Sequence, residues 1–190
     1  MIDEDSQLMF LAAKGDEDAF ATLFHRYYSR AVNIAYRFWG VQEAAEDIAM
    51  EAFSKIYENR ASFRGTSKFS TYLYRTLVNL CLNVAKRKSI VHEEPLVEEM
   101  TQGSEFFDPS VRAEQDDVSR QVRLAVLNLP PNQKLAIILT QYEQMSYREA
   151  AEVMKVSTKA LESLLHRAKL NLRRALADFL DEDYGSSQMR

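Results

Sequence analysis

Between Arg60 and Lys88 the chain carries Phe63, Arg64, Lys68, Phe69, Tyr72, Tyr74 and Arg75, then the run Lys86, Arg87, Lys88, and not one Asp or Glu. Rings interleaved with cations suit one kind of chemistry: aromatic side chains stack on unpaired bases while Lys and Arg follow the phosphates. The other reading of the same residues is a helix with Phe69, Leu73 and Leu77 in its core and its cations in water, which leaves the missing acids unexplained. The chain as a whole has a formal charge of -4. The balance is made up next door, where residues 89–117 hold nine carboxylates against the single cation of Arg112. Charge is sorted along the chain.

A second cluster, Glu43, Glu46, Asp47 and Glu51, raises the question of metal. Helical metal centres pair such carboxylates with Glu-x-x-His motifs on facing helices. The three histidines, His25, His92 and His166, form no such pair. No metal, cofactor or catalytic residue is therefore expected, and the chain does not read as an enzyme. Cys81 stands alone, so it can form no intramolecular disulfide. It lies at helical intervals from Leu73, Leu77 and Val84, which makes it a core residue, and a reducing compartment fits. The beginning, MIDEDSQLMF, is acidic where a secretory leader is basic, and no run of about 18 apolar residues occurs. These features predict a soluble cytoplasmic chain without membrane insertion.

The elements that must position these residues are helices. Five Gly and four Pro in 190 residues argue against turn-rich β architecture, and this length suits two small domains. Apolar residues at Phe20, Leu23, Phe24, Tyr27, Tyr28, Ala31, Ile34, Ala35 and Phe38 predict a helix from Asp18 to Trp39, stopped by Gly40. A second, over Glu43 to Tyr57, turns Ala44, Ile48, Ala52, Phe53 and Ile56 inward and its carboxylates outward. A third covers Ser67 to Lys88. Residues 89–115 lose periodicity, contain Pro95, Gly103 and Pro109, and read as an acidic linker.

Periodicity resumes from Asp116 to Leu129. Pro131 then opens a helix in the first-turn position that suits its missing N–H. Ser146 with Glu149 makes a capping box for a short helix, and Ser157 caps a longer one reaching Leu180. Residues 181–190 read as a flexible tail. A short helix, a turn over Lys155 to Ser157 and a long helix have the order of a helix-turn-helix, which lays its second helix in the major groove. Residues 146–176 carry seven basic and three acidic side chains, enough for a phosphate footprint. An amphipathic hairpin with a solvated charged face fits the spacing equally.

Four segments in order decide between these readings. AAEDIAMEAFSKIY, SFRGTSKFSTYLYRTLVN, LPPNQKLAII and MSYREAAEVMKVSTKALESLLHRAK resemble, in turn, four parts of the extracytoplasmic-function group of bacterial RNA polymerase sigma factors. These are the polymerase-binding helix, the minus-10 melting segment, the entry to the C-terminal domain and the minus-35 reader. The resemblance implies an all-α chain of two helical domains: 1–88 like sigma region 2, an acidic linker over 89–115, and 116–180 like sigma region 4. It implies an alternative sigma factor with core RNA polymerase (clamp coiled coil and flap), duplex and melted promoter DNA, and an anti-sigma factor as partners.

Jobs follow position by position from the resemblance. Glu46, Asp47, Ile48, Met50 and Glu51 match the face that grips the clamp coiled coil, with Met50 in place of the usual Gln. Phe63 and Asn79 match positions that receive bases of the melted strand, and Tyr72 stands where Trp is common. Arg64, Lys68, Arg75, Arg87 and Lys88 are implied phosphate contacts. In the minus-35 reader, Arg148, Lys159, Ser163, Arg167 and Lys169 are implied DNA contacts. Glu162 replaces a common cation there, Leu164 another, and Lys155 the usual turn Gly. A free-standing helix-turn-helix regulator is the rival reading, and it leaves the aromatic-cationic stretch and the carboxylate helix idle.

Overall fold

A computed structural model describes residues 3–91 and 117–187 of the chain. Most of the expected linker, and residues 188–190, lie outside the described residues. Among those described, every regular element is helical.

The first helix, α1 (Glu4–Ala13), starts where Asp3 accepts hydrogen bonds from the Ser6 amide at 3.1 Å and the Ser6 hydroxyl at 2.8 Å. Asp16 caps α2 (Glu17–Trp39) by accepting from the Ala19 amide at 2.9 Å. Gly40, left-handed at φ 78°, ends that helix by returning its amide to the Tyr36 carbonyl. Next come α3 (Gln42–Glu58), a 3-10 turn (Arg60–Ser62) and α4 (Phe69–Val91). Met9, Leu23, Ile34, Phe38, Ile56, Phe69, Leu73 and Leu77 are fully buried between these helices. Each such side chain contributes about 1.5–3 kcal/mol by leaving water. Cys81 is buried with them, and burial pushes its thiol up to about 12, so it is a core residue with no thiolate near neutral pH.

The C-terminal half contains α5 (Asp117–Leu127), α6 (Pro131–Ile137), a π-helical turn (Ile138–Tyr142), α7 (Tyr147–Met154) and α8 (Thr158–Ser187). The capping box forms as expected: the Glu149 amide donates to the Ser146 hydroxyl oxygen, and the Ser146 amide donates to the Glu149 carboxylate at 2.9 Å. The Ser146 hydroxyl also donates to the Glu149 carboxylate at 2.7 Å, and this bond first, then that from the Ser146 amide, holds the Glu149 carboxyl below its usual range. Ser157 caps α8 through the Ala160 amide at 3.1 Å. Of the segment 181–190 expected to form a tail, residues 181–187 continue the helix α8.

Between α7 and α8 the Val156 amide returns to the Ala151 carbonyl at 3.0 Å and the Lys155 amide to Glu152 at 3.3 Å, the double closure of a Schellman turn. That turn needs a left-handed residue. Lys155 supplies it at φ 54°, ψ 42°, although it bears a Cβ. The left-handed region costs a side-chain residue about 1–2 kcal/mol, while glycine adds about 0.4–1 kcal/mol of unfolded-chain entropy. Lys155→Gly is therefore expected to stabilise the protein by about 0.5–1 kcal/mol. Urea unfolding checks this: a midpoint at or below the parent's would mean Lys155 carries no strain.

Candidate nucleic-acid interface

The acid-free stretch folds into the 3-10 turn, a loop over residues 63–68 and the whole of α4. Phe63 is half-buried at the loop's start, its ring centroid 5.3 Å from that of Phe10 on α1 and 5.7 Å from that of Tyr72 on α4. Arg64 and Lys68 are exposed beside it, as are Asn79 and Arg87 farther along α4. Tyr72, Asn79 and Lys86 are spaced by two helical turns, so they share one stripe of α4. Lys88 is within α4, and its side chain lies outside the described residues.

On α3, Asp47 and Glu51 are exposed, Met50 is 50% exposed, and Glu46 is half-buried with its carboxylate accepting from Gln42 Nε2. Glu51 also meets Lys55 at 2.6 Å. Ile48 is the exception among the five: at 6% exposure it belongs to the core, because it lies a turn from Ala45 and Ala52 on the buried side. It supports the helix from beneath and presents little surface.

The long helix α8 buries Leu161, Leu165 and Ala168 at intervals of four and three, and Leu164 packs against the same core. Lys159, Glu162, Ser163, Arg167 and Lys169 are left exposed, and so is Arg148 on α7. Arg167 Nε donates to the Ser163 carbonyl at 3.2 Å, one turn back. Among the described residues Glu162 forms no ion pair, either with Lys159 or with Lys169. Its carboxylate faces water.

The two halves also meet one another, which the sequence did not suggest. Arg30 on α2 bonds Glu143 at 2.5 Å and its carbonyl at 3.1 Å. Arg37 lies 4.2 Å over the Tyr142 ring. Arg75 on α4 donates to the Glu152 carbonyl at 3.2 Å and lies 3.7 Å from its carboxylate. In this conformation one of the expected minus-10 cations is therefore held by the first helix of the helix-turn-helix. From the other side, Arg123 covers the Tyr36 ring and bonds its hydroxyl. Lys134 on α6 donates to the Phe38 carbonyl at 3.2 Å with its ammonium 4.9 Å above the Phe38 ring. A polar cleft of about 740 Å³ remains between the halves, lined by Lys68, Tyr74, Arg148 and Glu152 among others. Tyr74 is 4% exposed, and burial pushes its pKa up against the opposing charge of Arg30.

Comparison with known proteins gives the arrangement its relatives. Residues 23–90 match the family model of Sigma-70 region 2, and residues 119–172 that of Sigma-70, region 4. Over 173 residues the chain is 31% identical to the ECF RNA polymerase sigma factor SigW of Bacillus subtilis, covering 87% of this chain and 92% of that protein. It is 29% identical to the RNA polymerase sigma-H factor of Pseudomonas aeruginosa, covering 95% of this chain and 97% of that one. In fold it is similar to CnrH, solved with the cytosolic domain of CnrY, at a TM-score of 0.68 and 24% identity over 95% of this chain and 99% of that one. It is similar also to RpoE of Bartonella quintana, solved with the anti-sigma factor NepR, at 0.61 and 22% over 83% and 96%.

Lys134 makes the contact between the halves sensitive to pH. Burial pushes its ammonium down to about 8 from 10.5. Below pH 8 both folded and unfolded chains carry the charge, and the burial penalty is felt in full. Between about pH 8 and 10 the folded chain gives up the proton that the unfolded chain keeps, so stability rises with pH, by at most about 1.4 kcal/mol per unit. Cys81, pushed up by burial from 9.0, acts in the opposite sense from about pH 9, and above pH 10 Tyr27 and Tyr74, also pushed up by burial, join it. Lys134→Met is expected to lack the rise. Unfolding curves for parent and variant that run parallel from pH 7 to about 9.5 would refute this account.

Proposed function

Because this chain belongs to the extracytoplasmic-function group of sigma-70 factors, which bind core RNA polymerase and direct promoter recognition, melting and initiation, we propose how its residues divide that work. Residues 1–88 hold the polymerase and read and melt the minus-10 element. Residues 116–180 read the minus-35 element, and the acidic residues 89–115 connect the two. Phe63 packs against a base drawn from the stack, Tyr72 stacks beside it, and Asn79 pairs a base edge. Arg64, Lys68, Arg75, Arg87 and Lys88 contact phosphates, which fixes register without reading sequence. On α3, Glu46, Asp47 and Glu51 meet cations of the clamp coiled coil, and Met50 packs adaptably among them.

The observation that carries this reading is where the acid-free stretch comes to lie. It makes one continuous loop and helix with Arg64, Lys68, Asn79 and Arg87 exposed, inside the span that matches region 2. In α8, Lys159, Ser163, Arg167 and Lys169, with Arg148 from α7, enter or flank the major groove. The chain works in the cytoplasm as an initiation factor with no catalytic group of its own. The solved relative from Bartonella quintana carries an anti-sigma factor, and we extend that class of partner to this chain.

Glu162 needs a reason in a field of phosphates. A carboxylate can accept from cytosine N4 in the major groove, which favours the right base by about 1–3 kcal/mol. That Glu162 is exposed and pairs with neither neighbouring lysine favours this use over a solvent-side ion pair.

Two experiments test the assignments. Asp47→Arg reverses an exposed charge on α3 and is expected to lower core-polymerase affinity by about tenfold with the fold intact. Unchanged affinity in a pull-down titration would remove α3 from the polymerase contact. Glu162→Gln is expected to relax preference at one upstream base pair, while Arg167→Ala weakens binding to all sequences and lowers the salt slope by about one. Minus-35 sequences selected by each holoenzyme decide between them: an identical motif for Glu162→Gln and parent means the carboxylate reads no base.

A further inference from the structure

Phe10 belongs to none of the segments to which a job has been given, and α1 precedes the span that matches region 2. The helix is fastened independently of Phe10. Asp5 bonds both Arg26 and Tyr27, Glu4 meets Arg26 at 3.1 Å, and Met9 and Ala12 fill the core beneath it. Phe10 is on another side of α1, half-buried, and touches the loop over residues 63–68 in two places.

The first is the Phe63 ring, 5.3 Å away between centroids and tilted by 59°. The second is Gly65. A Cβ on that residue would stand 2.8 Å from Phe10 Cζ and 3.1 Å from Cε2, closer than a real Cβ stands, and the residue is left-handed at φ +63°. The loop therefore has a glycine where its backbone must both turn and admit the Phe10 ring. Beyond Phe63 the next residues, Arg64, Gly65 and Thr66, are exposed, so this ring is the apolar anchor of the loop's outer part. From the far side Tyr72 meets Phe63 at 5.7 Å and 50°. Phe63 is thus clasped between a ring of α1 and a ring of α4.

We propose that Phe10 is a positioning residue for promoter melting: by filling the space at Gly65 and packing on Phe63, it presets the Phe63 ring to receive an unstacked base. This rests on the assignment of Phe63 above. Extruding a base from the duplex is costly, and a receiving side chain that must also be ordered at that moment adds its own rotamer entropy. A ring already held by two neighbours adds little. Phe10 touches no DNA in this account and acts through Phe63.

The test uses the full chain assembled with core polymerase and compares Phe10→Ala, Phe10→Leu, Phe63→Ala and the double variant Phe10→Ala with Phe63→Ala. Opening is read by 2-aminopurine fluorescence in the minus-10 strand, and core affinity by anisotropy. Phe63→Ala is expected to lower opening by about tenfold. Phe10→Ala, and Phe10→Leu, which keeps apolar volume under α1, are expected to lower it by about two- to tenfold. Core affinity stays at the parent's level in all four. The double variant opens no worse than Phe63→Ala alone, because the second loss has no partner left to act through. Parent-like opening in both Phe10 variants, beside a defective Phe63→Ala, overturns the role of Phe10 and leaves Phe63 standing. A double variant whose losses multiply, or core affinity that falls with Phe10, overturns it too, since Phe10 then acts on the fold at large. A silent Phe63→Ala overturns the reading of Phe63 and this inference with it.

Discussion

One helix has to satisfy three neighbours, and the rest of the molecule is arranged around how it does so. Successive residues of a helix are rotated by about 100°, which leaves room for a few stripes only. In α4 the widest stripe, with Leu73, Leu77, Leu80 and Cys81, closes the core of the N-terminal half. A second, through Tyr72 and Asn79, is the one the promoter-reading assignment uses. The third, at Arg75, meets α7. A carboxylate on the second stripe would sit among phosphates, and one on the first would be buried without a partner. The absence of Asp and Glu from α4 fits a helix with these three obligations, the second of them as proposed above.

The contact between the halves is apolar in strength and cationic in register. The core runs without interruption from Leu77 and Val78 to Leu135 and Ile138. The ion pairs at its rim are partly exposed: Arg30 is 47% accessible, and pairs of that kind contribute at most about 1 kcal/mol. They determine which residues face each other. Lys134 differs because its ammonium sits at the C-terminal end of α2, where free carbonyls and the helix dipole both favour a cation. Burial opposes that preference, and the lowered pKa records the opposition.

Much of this was legible from spacing alone. The helices α2, α3 and α4 begin and end within three residues of their expected bounds, because Asp16, Gly40 and a clear apolar period mark them. The Ser146 box and the Ser157 cap are local hydrogen bonds that residue identity announces. Where the sequence misled, the cause was physical. Helix α1 shows no period, since Leu8 to Ala13 is one apolar run, and Phe10 went unnoticed with it. The run is explained only when Met9 and Ala12 are seen to face the core and Phe10 the loop at Phe63 and Gly65. Ile48, matched to the clamp-gripping face, is buried in the free chain, as the inward spacing of α3 implies. Nothing local connects Arg30 to Glu143, 113 positions away, or Arg75 to Glu152. A pairing that depends on how two units dock is invisible to any window of sequence.

On the proposed division of work between the two halves, that docking has a geometrical consequence. Elements centred near minus 35 and minus 10 are separated by about 25 base pairs, roughly 85 Å of duplex. A folded chain of this size, drawn together, is only about 40 Å across. The arrangement in which Arg75 holds Glu152 and Lys134 caps α2 is therefore too short to touch both elements at once. On that division of work, a chain that engages both elements has to give up this contact, and its apparent affinity is then the intrinsic one reduced by the fraction of chains already extended.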